Sequence, residues 1–90
     1  MATIMIKRLN VKEGIQSVKL EDGDQILSAG YRDGSICIWI KCNLYSFVPG
    51  VRLVTVIVVP TEGLLPIARA KFVGTVTQNQ FDWHIFVDME

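Results

Sequence analysis

The sequence predicts a small all-β protein, namely a single antiparallel sandwich or barrel of about seven short strands with little or no helix. Alternating and β-branched apolar runs recur along the chain, whereas no window shows the apolar period of about 3.6 residues that is typical of a helix. Turn-forming residues separate these runs at intervals of roughly 8–12 residues. The 90 residues are 50% hydrophobic and 20% charged, which suits one modest core and predicts one domain over residues 1–90.

The first three strands are predicted between two turn-forming stretches. Ile4 and Ile6 alternate with other residues and should share one face of the first strand. Gly14 follows two charged residues, and the acidic stretch 21–24 contains a glycine, so both stretches indicate turns. We expect the acidic stretch to form a solvated hairpin turn. The predicted strands cover residues 3–9, 15–20 and 25–32.

The fourth strand, 35–41, follows the strongest hairpin signal in the chain. Asp33-Gly34 lies between two strand-like runs and suits a two-residue turn. The alternation places Trp39 and Cys37 on one face of this strand. The opposite face should carry Ile36, Ile38 and Ile40.

The last three strands include one that is apolar on both faces. This fifth strand, 52–59, has a pattern typical of a central strand or an interface strand. The sixth and seventh strands, 71–78 and 81–88, should form a hairpin around Asn79-Gln80. Residues 60–68, which follow the fifth strand, form the longest irregular stretch.

Charge and hydropathy exclude several classes of protein. Nine basic and nine acidic residues give no net charge, which disfavours general binding to polyanions. The longest apolar run ends at Pro60 and is far shorter than the roughly 20 residues of a membrane-spanning helix. The N-terminal residues lack the pattern of a secretory signal. We therefore expect a soluble cytoplasmic protein that does not associate with membranes.

The two cysteines are expected to be free and partly buried. Cys37 and Cys42 lie five positions apart in one extended segment, so they point to opposite faces and cannot form an unstrained disulfide. With one histidine they also provide too few ligands for a structural zinc site. We expect no metal and no other cofactor.

The predicted strands resemble a family of small bacteriophage proteins of unknown function. The resemblance rests on the Ile26-Leu27-Ser28 strand, the Asp-Gly hairpin, the strand with Trp39, the stretch 72–75 and the closing stretch 83–86, and it spans residues 6–86. It implies a phage-encoded accessory protein that acts in the cytoplasm of an infected bacterium. The chain departs from the family at 59–66, where other members carry a glycine-rich stretch. The family implies no catalytic residues.

Catalytic motifs are weak in this sequence. His84 could act as a base oriented by Asp82, with Ser28, Ser46 or Cys37 as the nucleophile. No strained Gly-x-Ser-x-Gly turn is present, and the glycine-rich phosphate loops are also absent. The acidic stretch 21–24 lacks the spacing of a calcium loop. We therefore expect a protein that is not an enzyme.

The function that we expect is non-catalytic binding to a host or phage macromolecule, as an inhibitor or modulator. The connections 43–50 and 60–69 are rich in apolar and aromatic residues, which are typical anchors of interfaces. The predicted partner-binding residues are Tyr45, Phe47, Leu64, Leu65 and Arg69.

Alternative functions follow from the basic residues. A nucleotide could be held in a barrel mouth or between subunits, with its phosphates contacted by Arg32, Arg52, Arg69 or Lys71. A small barrel could also bind nucleic acid through aromatic and basic pairs, although this alternative is the weaker one. The pairs in question are Tyr31 with Arg32, Trp39 with Lys41, and Phe72 with Lys71. A minor structural component of the virion is a further alternative.

The excess of apolar residues predicts self-association. The fourth and fifth strands are apolar on both faces, and large exposed apolar patches are rare on soluble monomers. The simplest expectation is a two-fold homodimer. Its predicted interface residues are Trp39, Val54, Val56 and Val58.

Overall fold

The computed structural model describes residues 4–43 and 50–89, and within these ranges it contains seven strands and no helix. The strands are β1 (Ile4–Asn10), β2 (Gly14–Glu21), β3 (Gln25–Arg32), β4 (Ser35–Asn43), β5 (Val51–Pro60), β6 (Lys71–Gln78) and β7 (Phe81–Met89). The all-β fold class is therefore confirmed. Each predicted strand is present with ends that differ by at most two residues.

The strands form two antiparallel sheets that share one core. One sheet has three strands in the order β1-β4-β3, and the other has four strands in the order β2-β5-β7-β6. Hydrogen-bonded ladders join strands only within each sheet in the described part of the chain. The two sheets thus pack as a sandwich, which decides between the sandwich and the barrel that the sequence left open.

Both predicted hairpins are confirmed. Asp33 and Gly34, between β3 and β4, have φ angles of 52° and 80°. Asn79 and Gln80, between β6 and β7, have φ angles of 51° and 70°. Two successive residues with positive φ are the signature of the type I′ turn, whose twist matches that of the flanking strands.

The acidic stretch before β3 differs from the prediction. It is not a hairpin turn, because β2 belongs to the four-stranded sheet and β3 to the three-stranded sheet. Asp24 is only 5% exposed, since the chain turns inward here to change sheets. Its Oδ2 accepts a hydrogen bond from the Glu21 backbone N–H at 3.1 Å, which stabilises the corner.

Alternate residues of the central strands build the core between the sheets. From β4, the core receives Ile38 and Ile40, as the alternation predicted. From β5 it receives Val54, Val56 and Val58, none more than 1% exposed. The apolar character of both strands on this face is therefore explained by burial within one chain.

The connection from β5 to β6 crosses the outer face of β7. β5 and β6 lie on opposite sides of β7 and are both antiparallel to it, so they run parallel to each other. Parallel strands need a crossover that returns along the sheet. We call residues 61–70 the crossover segment.

The edge strands β3 and β6 meet where the two sheets adjoin. A Cβ atom added to Gly74 would lie 3.3 Å from the Cβ of Ala29, so the two strands approach closely at this point. Both strands carry a β-bulge, at Leu27 in β3 and at Val73 in β6. We call this junction the β3–β6 seam.

Candidate functional site

A cavity of about 420 Å³ lies beside the β3–β6 seam at one end of the sandwich. The starts of three strands and the end of β7 surround it. Its apolar wall includes both bulged residues, Leu27 and Val73. We call it the end cavity, and its lining comprises Asp24, Gln25, Ile26, Leu27, Arg52, Lys71, Phe72, Val73 and Val87.

Two basic residues line the end cavity because their strands place them on inward-facing positions. Arg52 pairs with the buried Leu20 across the β2–β5 ladder, and Lys71 pairs with the buried Val87 across the β6–β7 ladder. Residues paired in an antiparallel ladder point to the same face. Arg52 and Lys71 were both predicted from the sequence as phosphate contacts, and the structure brings them to one cavity.

The acidic group at the end cavity already has partners. The Asp24 carboxylate accepts a hydrogen bond from Glu21 and lies 3.8 Å from the Lys7 ammonium group. The backbone oxygen of Asp24 accepts a hydrogen bond of 2.6 Å from Arg52 Nη2. The cavity therefore combines one acidic side chain that already has partners with two basic side chains and an apolar wall.

A second, shallower depression of about 390 Å³ lies on the outer face of the three-stranded sheet. It is lined by Ile6, Arg8, Arg32, Asp33 and Trp39, and we call it the sheet-face cup. Trp39 lies against Gly30 of the neighbouring strand, where an added Cβ would come within 2.8 Å of the indole Nε1. Arg8 is the ladder partner of Trp39 and donates a 3.0 Å hydrogen bond to Asp33.

His84 fastens the crossover segment to the sheet. Its Nε2 lies 2.8 Å from Thr61 Oγ1, and its Nδ1 lies 3.0 Å from Thr75 Oγ1. The Asp82 carboxylate, proposed as the group that orients His84, instead accepts a 2.7 Å hydrogen bond from Thr77. The contacts of His84 thus support a structural role at this position.

The other end of the crossover segment is held by Arg69. Its guanidinium donates two hydrogen bonds to Asp88, at 3.1 and 3.0 Å. Between the two attachments Leu64 is 90% exposed, whereas Leu65 is half-buried. Of the partner-binding residues predicted in this segment, Leu64 is therefore exposed, Leu65 is half-buried and Arg69 is bonded to Asp88.

Both cysteines are free thiols, as expected, and they are buried more completely than the sequence predicted. Burial raises the pKa of the Cys37 thiol, and it is also the main cause of the raised pKa of Cys42, to which nearby Asp24 adds. A thiol with a raised pKa is a poor nucleophile at neutral pH. Among the described residues, no group of three or more His, Cys, Asp or Glu side chains is arranged to hold a metal ion.

Several predicted residues lie elsewhere than at these sites. Tyr45, Phe47 and the proposed nucleophile Ser46 lie outside the described residues. The three valines proposed for a dimer interface are in the core, so their apolar character needs no second copy. Trp39, the fourth interface residue, lies on the outer face. Sequence reasoning did not single out Arg8, Asp88 or the two bulged residues, since only strand pairing reveals their roles.

Fold and sites together define a two-sheet β-sandwich with one cavity at its end and one depression on its outer face. The chain belongs to the family described as "Domain of unknown function (DUF7352)", whose model matches residues 1–90. Neither a curated protein nor a solved structure matches the chain. The resemblance to a family of unknown function is thereby confirmed, and an origin in a phage stays a proposal. In the described ranges, no helix has the length and hydropathy needed to span a membrane.

Proposed function

We propose that this protein is a non-catalytic binding protein of the phage accessory type, which acts in the cytoplasm on a host or phage protein as an inhibitor or modulator. The observation that carries the proposal is Leu64, a large apolar side chain that is 90% exposed. Burial of apolar surface is the dominant favourable contribution to most protein–protein association.

The attachments of the crossover segment support this role. Thr61 is held by His84, and Arg69 is held by Asp88, on either side of Leu64. A further backbone hydrogen bond of 2.9 Å joins Gly63 to Pro60. A segment that is already ordered loses less conformational entropy when it binds, and therefore binds more tightly.

The test is capture of a partner from a lysate of the infected host by immobilised protein. Leu64→Ser should abolish capture of the specific partner and leave the unfolding midpoint unchanged. The matched control is Ile15→Ser, because Ile15 is also exposed, at 60%, but lies on β2, which β5 separates from β7 and the crossover segment. Equal capture by both variants would contradict the assignment of the surface.

A second candidate function is binding of single-stranded nucleic acid at the sheet-face cup. Trp39 offers a ring for base stacking, and Arg8 and Arg32 line the same depression. Lys41 also points to this face, two positions from Trp39. Fluorescence anisotropy with a labelled oligothymidylate should then show salt-dependent binding that Arg32→Gln weakens, whereas Lys12→Gln should not weaken it.

Self-association stays a proposal, supported now by the first strand. β1 is an edge strand, and its residues Ile4, Met5 and Ile6 are all more than 40% exposed. Exposed apolar edge strands tend to pair with other strands. Light scattering coupled to size-exclusion chromatography tests this, and a 10 kDa species at every concentration would exclude a dimer.

A further inference from the structure

We propose that the end cavity binds a small phosphate monoester with an apolar body, such as a nucleoside monophosphate. The proposal is independent of the protein-binding role of Leu64, because the cavity and the crossover segment use different residues. In this proposal, both basic residues at the cavity contact the phosphate of the same ligand.

The first argument is an unsatisfied donor. Arg52 Nε is buried and has no hydrogen-bond partner among the described residues, although Nη2 of the same guanidinium is bonded to the Asp24 backbone oxygen. A buried donor without a partner costs free energy, so a native protein tends to satisfy it. Arg52 also lines the cavity, so an anion bound there would lie beside this guanidinium and offset its positive charge.

The second argument is the charge at the cavity. Lys71 supplies a second positive charge, from β6, to the same cavity. The opposing carboxylate, that of Asp24, lies near Lys7 and is hydrogen-bonded to Glu21. With Lys7 and Asp24 offsetting each other, Arg52 and Lys71 remain to bind a dianion such as a phosphate monoester.

The third argument is the shape of the seam. The bulges at Leu27 in β3 and Val73 in β6 both lie at the cavity. Beyond the bulges the strands approach closely at Ala29 and Gly74. Bulges often occur beside functional sites, where they redirect side chains.

The fourth argument is the amphipathic lining. The lining combines the polar residues Asp24, Gln25, Arg52 and Lys71 with five apolar residues. The volume of about 420 Å³ lies within the range of roughly 300–1,000 Å³ that is typical of small-molecule sites. A base and sugar would contact the apolar part while the phosphate contacts the basic residues.

Nuclear magnetic resonance tests the proposal directly. The ¹⁵N–¹H signal of Arg52 Nε, identified by its loss in Arg52→Lys, should shift when adenosine monophosphate is added. Adenosine without phosphate should leave it unchanged. Lys71→Gln should weaken binding of adenosine monophosphate by about ten-fold or more, since it removes one charge-assisted contact.

The matched control is Lys19→Gln, which removes an exposed positive charge from β2. This strand and β6, which carries Lys71, are the opposite edges of the four-stranded sheet. It should leave the affinity unchanged. Leu64→Ser should also bind adenosine monophosphate normally, so failure of the protein-binding role is distinguishable from failure of this site. Equal losses of affinity in Lys71→Gln and Lys19→Gln would overturn the proposal. So would the absence of a shift in the Arg52 signal with adenosine monophosphate. A shift of that signal with sodium decanoate, an apolar anion without phosphate, and not with adenosine monophosphate would also overturn it.

Discussion

The Arg69 guanidinium donates two hydrogen bonds to the Asp88 carboxylate, from Nε to Oδ1 at 3.1 Å and from Nη2 to Oδ2 at 3.0 Å. The Asp88 side chain is 8% exposed, whereas that of Arg69 is 70% exposed. The pair therefore joins a nearly buried acid on β7 to the surface end of the crossover segment. The hydrogen bond between Thr61 and His84 fixes the other end of the crossover segment.

Arg69→Met should lower the free energy of unfolding by about 1–2 kcal/mol, because the nearly buried Asp88 loses two charge-assisted hydrogen bonds. The value stays moderate since Arg69 itself is exposed and the interaction is screened by solvent. Urea unfolding measures the loss. The control is Arg8→Met, which removes the pair with Asp33, whose side chain is 77% exposed, and should cost less than about 1 kcal/mol. Equal losses would show that the burial of Asp88 has no effect.

Gln80→Gly should stabilise the protein by up to about 1 kcal/mol. Gln80 has a φ of 70° at the second central position of a type I′ turn, where a side chain is strained and glycine is favoured. Thermal unfolding should show a higher midpoint for this variant. Gln78→Gly is the matched control at the last residue of β6 and should lower the midpoint, since glycine loses more conformational freedom on folding than other residues. A lower midpoint for Gln80→Gly would contradict the prediction.

The local features of this fold could be predicted from the sequence. Asp33-Gly34 and the alternation of Ile36, Ile38 and Ile40 are short-range signals, and they gave the hairpin and the core face of β4. Turn chemistry and strand period depend only on neighbouring residues, so no knowledge of the topology was needed.

The end cavity could be predicted only in part. Arg52 and Lys71 were candidates by residue type, but they lie 19 positions apart in the sequence, and their meeting depends on which strands adjoin. The same holds for Asp24, whose burial follows from the change of sheet between β2 and β3. The bulges at Leu27 and Val73 are register shifts, which arise from pairing rather than from either strand alone.

Gly30 and Trp39 should be energetically coupled. An added Cβ at Gly30 would lie 2.8 Å from the indole Nε1, closer than a nonbonded contact allows, so Gly30→Ala should force the ring to move and destabilise the protein by about 1–3 kcal/mol. Once Trp39→Ala has removed the ring, the same Gly30→Ala change should be neutral or stabilising, since alanine suits a strand interior better than glycine. Urea unfolding of the four proteins gives a coupling free energy, which should be at least about 1 kcal/mol. Additive effects of the two substitutions would show that Trp39 does not pack on Gly30.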